Sequence, residues 1–121
     1  MVLVTANKRK QLLFVSYIGK VTPEELVRGR ADLEASLADM QPGFRLLVDL
    51  SQLTVMGLDC VEEVGRNMEL FDRSGVGTVV RVVPDPYKDI GMNILTLFHY
   101  SHHPRVVTCD NMNEGVTVAL T

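Results

Sequence analysis

The run from Phe44 to Leu50, FRLLVDL, constrains this chain more than any other stretch. Five of its seven residues are apolar and almost continuous, the mark of a strand covered on both faces. Such a strand needs a layer on either side, which implies an α/β architecture. The longer stretch FRLLVDLSQLTVMGL carries the run straight into Asp49, Ser51 and Thr54. The carboxyl end of an inner parallel strand is where α/β domains keep their working surfaces.

The flanking segments support that reading. Val2 to Ala6 and Gln11 to Ile18 are β-prone runs separated by Asn7-Lys8-Arg9-Lys10, which predicts a hairpin with a charged tip ending at Gly19. Thr22-Pro23-Glu24-Glu25 then predicts a helix start, with Thr22 capping the amide of Glu25, Glu25 reaching back, and Pro23 presetting the first turn. Leu26, Leu33, Leu37 and Met40 recur on its inner side, Arg28, Asp32, Glu34 and Asp39 on its outer side, and Pro42-Gly43 ends it. Beyond the inner strand, Ser51 to Gly57 reads as a loop. Asp59 with Glu62 three residues on reads as a second cap, ahead of a stripe of Val61, Val64, Met68 and Phe71 that closes at Ser74-Gly75.

Val76 to Val83 is a further β-branched run, stopped by Pro84-Asp85-Pro86. Asp85 is the expected cap of a helix with Ile90, Ile94, Leu97 and Phe98 on its buried face, ending in His99 to Pro104. Arg105 to Thr108 reads as a short last strand, and Asn111 to Glu114 as the start of a last helix carrying Met112, Val116, Ala119 and Leu120. A hairpin followed by helices and strands in alternation predicts a single α/β domain over residues 1–121. Its sheet is mixed: parallel through right-handed crossovers, with the N-terminal strand as an antiparallel edge.

Composition narrows the function classes. Hydrophobic residues make up 46% and charged residues 22% of the 121-residue chain, and no apolar run approaches the ~20 residues of a membrane span. The N-terminal MVLVTANKRK puts its apolar residues before its basic ones, the reverse of a secretory signal, so the cytoplasm is the expected compartment. A net charge of −3, with only Lys8, Arg9 and Lys10 as a basic cluster, argues against a nucleic-acid surface. Cys60 and Cys109 have neither disulfide nor zinc spacing and read as small core hydrophobes. Cys60 in the first turn of its helix has a second reading, as a thiol of lowered pKa.

The run LLVDLSQLTVMGLDCVEEVGRNMELFDRSGVGTVVRVV resembles the middle of a STAS domain, the module of anti-anti-sigma factors and sulphate-transporter tails. The shared pattern is an apolar strand ending in Asp-Leu-Ser, here Asp49-Leu50-Ser51, then a short apolar loop, a capped helix, a glycine turn and a second apolar strand. The leading hairpin, the helix after Thr22 and the helix after Asp110 fall where that fold puts them. The chain is also similar to bacterial STAS-like proteins grouped with lipid-binding domains of the phosphatidylinositol-transfer type. The resemblance implies a regulatory domain whose loop carries an Asp-Ser pair, the serine phosphorylated by a partner kinase. Here Gly57 and Leu58 occupy that pair, and Asp59 and Cys60 follow, so the acceptor hydroxyl is missing. The fold then leaves Leu53, Val55, Met56 and Leu58 as an apolar docking loop.

Three chemistries compete with docking. Asp49, Asp85 and Asp110 each follow an inferred parallel strand and suit a hard cation or acid–base work; as plain structure, Asp85 and Asp110 cap helices and Asp49 accepts loop amides. His99, His102 and His103 suit zinc or proton transfer, and equally suit the negative end of a helix. Ser51 and Thr54 lack the elbow pattern of a hydrolase, and the glycines form no phosphate cradle, so no cofactor is expected. The sequence therefore points to a non-catalytic binding module for a protein partner or a small apolar ligand. Its expected surface comprises Asp49, Ser51, Thr54, Met56, Leu58 and Asp59, with Asp85 and Tyr87 beside them and Tyr100 near the histidines; Met92, with Met56, is a further candidate lining. The alternatives are a metal-assisted enzyme using the aspartates and histidines, and a homodimer formed through the N-terminal edge strand.

Overall fold

The computed structural model describes residues 1–85, 96 and 99–121. In chain order its elements are β1 (Val2–Asn7), β2 (Leu12–Tyr17), β3 (Gly19–Val21), α1 (Pro23–Leu37), β4 (Arg45–Asp49), β5 (Leu53–Met56), a 3-10 turn (Leu58–Cys60), α2 (Val61–Arg73), β6 (Thr78–Val82), β7 (Arg105–Cys109) and α3 (Met112–Leu120). The expected helix face of Ile90, Ile94, Leu97 and Phe98, and the candidates Tyr87 and Met92, lie outside the described residues; Thr96 and His99 are helical.

Among the described residues one sheet runs β1-β2-β4-β6-β7. β1 pairs antiparallel with β2, and every later neighbour is parallel. The N-terminal strand is thus the antiparallel edge the sequence predicts, and β4, built from the FRLLVDL run, lies at the centre. Its side chains alternate between two cores. Leu46 and Val48 join Leu13, Val15 and Val79 under α1 and α2. Leu47 joins Val80, Val82, Cys109 and Ala119 under α3. Burial on both faces explains why the strand reads as continuously apolar rather than alternating.

Local signals set the helices. Thr22 accepts from the Glu25 amide at 3.3 Å, and the Glu25 carboxylate accepts from the Thr22 amide at 3.3 Å, so the predicted capping box forms with Pro23 in the first turn. Leu26, Leu33 and Leu37 are buried as expected, and Met40 is buried just beyond the helix. Gly75, at φ +89°, takes the left-handed position that ends α2. Asn111, rather than Asp110, caps α3 by accepting from the Glu114 amide at 2.9 Å.

Two expectations are corrected around the β4 exit. Residues 51–57 are not simply a loop: Leu53–Met56 form β5, parallel to β3 in a small second sheet, because the chain after Gly19 runs on extended instead of turning away. Asp59 does not cap α2. The backbone winds into a 3-10 turn one step earlier, the Cys60 amide bonds the Gly57 carbonyl at 3.0 Å, and Cys60 holds the N-cap position with no side-chain bond.

Candidate functional site

β4 ends at Asp49, which is buried and accepts from the Ser51 amide at 2.9 Å, so its carboxylate turns the chain at the strand exit. Ser51 is half-buried, Leu53 is buried and Thr54 is exposed. β5 then carries the chain to the rim, where Val55 is 51% and Leu58 91% exposed, with Met56 half-buried between them. Val61, expected on the buried stripe of α2, is 42% exposed, because the 3-10 turn sets the register so that Val64, Met68 and Phe71 are the members of that stripe that reach the core. Along the chain Val55, Leu58 and Val61 therefore make an exposed apolar edge running from β5 into the start of α2. Exposed Glu24, Asp59 and Glu62 surround this end of the fold. Burial pushes the Cys60 thiol up, and the charges of Asp59 and Glu24 push it further, so the reading of Cys60 as a low-pKa thiol is overturned. Its Sγ instead lies 3.4 Å from the Val21 carbonyl, inside the core.

The opposite end of α2 is polar and closed. Asp72 is buried, and its carboxylate accepts from Ser101 Oγ at 2.8 Å and from the His102 amide at 3.1 Å, and pairs with His102 Nδ1 at 2.8 Å. Burial alone would raise its pKa, but these hydrogen bonds outweigh it and hold the carboxyl below the usual aspartate value. One turn back, Glu69 Oε1 lies 2.7 Å from His99 Nδ1, and the ring of His99 sits against Gly65, where a Cβ would collide with it. His99 and His102 thus face α2 carboxylates, and among the described residues no group of three potential ligands is placed to hold a metal.

Between these ends Arg30 of α1 reaches over α2. It donates to Asn67 Oδ1 at 2.9 Å and to Glu63 Oε2 at 2.6 Å. Below lies a cavity with about 20 Å³ open to the centre of a water molecule, room for one or so waters, lined by Tyr17, Asn67, Arg81 and Tyr100 among apolar neighbours. Arg81 is 2% exposed and donates to Thr96 Oγ1 at 2.9 Å. Burial drives the hydroxyls of Tyr17 and Tyr100 upward, so both stay protonated donors.

The sequence-predicted candidates are therefore not gathered in one place. Asp49, Ser51, Thr54, Met56, Leu58 and Asp59 follow one another along the β4 exit. Asp85 is exposed three residues past Val82, the residue paired with Asp49. Tyr100 is in the core. Asp72, Ser101, Arg30 and Asn67 escaped the sequence reading. Arg81 alone carried a signal, as a charge inside a β-branched run.

No family model and no curated protein matches the chain. Solved structures do. An uncharacterised protein of the DUF3478 family with a SpoIIAA-like fold, from Shewanella loihica PV-4, superposes with a TM-score of 0.74 at 13% identity, over 98% of this chain and 92% of that one. The anti-sigma factor antagonist SpoIIAA in its unphosphorylated form gives 0.62 at 16%, over 98% and 96%. An anti-sigma factor antagonist from Mycobacterium paratuberculosis gives 0.62 at 16%, over 100% and 94%. At these identities the likeness is one of fold: this chain has the SpoIIAA-like α/β fold, the arrangement that the STAS resemblance implies.

Proposed function

We propose that this domain is a non-catalytic regulatory module that docks a protein partner through the apolar edge at the start of α2. The observation that carries this is Leu58, 91% exposed and flanked by exposed Val55 and Val61. Leaving a leucine in water forgoes roughly 1.5–3 kcal/mol that burial would return, and three such side chains together form a patch suited to a partner's pocket. Two of the fold's neighbours are anti-sigma factor antagonists, proteins defined by acting on another protein, which favours a partner over a small ligand. The domain would act without a serine at the position where the STAS resemblance expects one, since Leu58 stands there.

The test is capture of partners from cells with immobilised wild-type domain and with Leu58→Asp. A partner retained by the first and released by the second, with both proteins melting at the same temperature, supports the docking edge. A partner held equally by both removes it. Native mass spectrometry of the purified protein checks the ligand reading: a co-purifying lipid-sized mass would displace the protein-partner proposal.

A further inference from the structure

The carboxylate of Asp72 receives more than its burial requires. Ser101 Oγ and the His102 amide already satisfy one bond on each oxygen. The third partner, His102 Nδ1 at 2.8 Å from Oδ2, belongs to an imidazole that is 73% exposed. An exposed charge-assisted contact of this sort contributes little to stability, so its consequence is positional. It puts the proton on Nδ1, fixes the ring against the end of α2, and leaves the Nε2 lone pair in solvent. The other two histidines differ. His99 pairs with Glu69 in the same way, but Nε2 of its ring is pressed against Gly65 and the side chain is only 25% exposed. His103 is exposed, and among the described residues no carboxylate pairs with it.

We propose that His102 is a phosphoryl-acceptor site, its Nε2 the nucleophile and Asp72 the residue that orients and polarises it. A nucleophile backed by a base that is itself held in place is the general arrangement for group transfer. The donor class is a phosphoanhydride or phosphoramidate. The Nε2 lone pair attacks phosphorus, the N–P bond forms as the bond to the leaving group breaks, and nucleoside diphosphate or ammonia departs with the electron pair. The Nδ1 proton stays between imidazole and Asp72, where the carboxylate balances the positive charge the ring acquires. Exposed Arg73, next to Asp72 in α2, and exposed Arg105, three residues beyond His102, are the nearest cations along the chain for the added phosphate. The site lies at the opposite end of α2 from Leu58, so it stands or falls independently of the docking proposal.

The experiment treats the whole protein with potassium phosphoramidate at neutral pH and follows each histidine by tandem mass spectrometry and phosphorus NMR. His102 should be labelled at Nε2 about tenfold faster than His103 in the same molecule. His102→Gln should lose that label, and Asp72→Asn should bring His102 down to the rate of His103. Equal rates at His102 and His103, labelling at Nδ1, or an Asp72→Asn protein that labels as fast as wild type would each overturn the proposal. Should Asp72→Asn fail to fold, the ratio of the two histidines within wild type decides the question alone.

Discussion

The two ends of α2 are built on opposite principles. At its start the backbone supplies its own bonds through a 3-10 turn, no side chain caps the helix, and three apolar residues stand in water. At its end almost every polar group has a partner: Ser74 and Gly75 close the backbone, and Asp72 collects three contacts from Ser101 and His102. Exposed apolar surface at a helix start adds nothing to folding, whereas a buried, fully bonded carboxylate makes the polar end part of the stable framework. One helix thus presents an end that is free to bind and an end that is fixed, and substitutions should separate them by their energetic cost.

Of the polar contacts around α2, the largest effect is expected from Asp72→Ala. It removes a charged acceptor from three donors, one of them the part-buried His102 amide, and should destabilise by about 3 kcal/mol. For a domain of this size that lowers the melting temperature by about 10 °C, readable by calorimetry. A loss below about 1 kcal/mol would mean that the polar end contributes no more than the apolar one, and the contrast would collapse. Arg30→Ala comes next, at about 2 kcal/mol, because it takes from Glu63, whose side chain is 14% exposed, its 2.6 Å partner, leaving only Arg66 at 3.7 Å, and removes a hydrogen bond from buried Asn67.

Acid sharpens the same comparison. The folded pKa of Asp72 lies below its unfolded value, so its contribution is whole above the ordinary aspartate range, near 3.9, and is lost as pH falls through the depressed folded value. Urea melts from neutral pH down to about pH 2 should therefore show wild type losing stability across that window. Asp72→Asn should start lower and run flatter there. Parallel pH curves for the two proteins would show that the carboxylate is not what holds this end.

What the sequence made legible divides along the same line. The capping box at Thr22 and Glu25 is complete within four residues, so its pattern and its structure coincide. The central β4 strand announced itself because both of its faces are buried in separate cores. The Asp59-x-x-Glu62 pattern misled because capping depends on where the first turn begins, and the 3-10 winding at Leu58 moved that point by one residue. β5 hid inside what reads as a docking loop, since a four-residue strand with only Leu53 buried leaves almost no periodicity. The Asp72 cluster had no local trace at all: its partners lie 29 and 30 residues away, and an aspartate beside Phe71 on an amphipathic helix reads as solvated. Tyr100 reads as a partly packed candidate near the histidines, and the turn that exposes His102 sends its phenol wholly into the core beside Arg81.

The smallest expected effect is the most informative about the free end. Leu58→Ser deletes an isobutyl group that is 91% exposed, so it gives up almost no buried area and should change stability by no more than about 0.5 kcal/mol in either direction. The same substitution at Leu47, 1% exposed between β4 and α3, opens a void and buries a hydroxyl, and should cost about 4 kcal/mol. If Leu58→Ser nonetheless lowered the melting temperature by several degrees, the side chain would be packed in solution, by this chain or a second copy of it, and its exposure would no longer argue for a docking partner. A neutral result leaves Leu58 as an apolar group that folding does not use. Its retention at the rim then has to be explained by something outside the folded chain, and a partner's pocket is the simplest such thing.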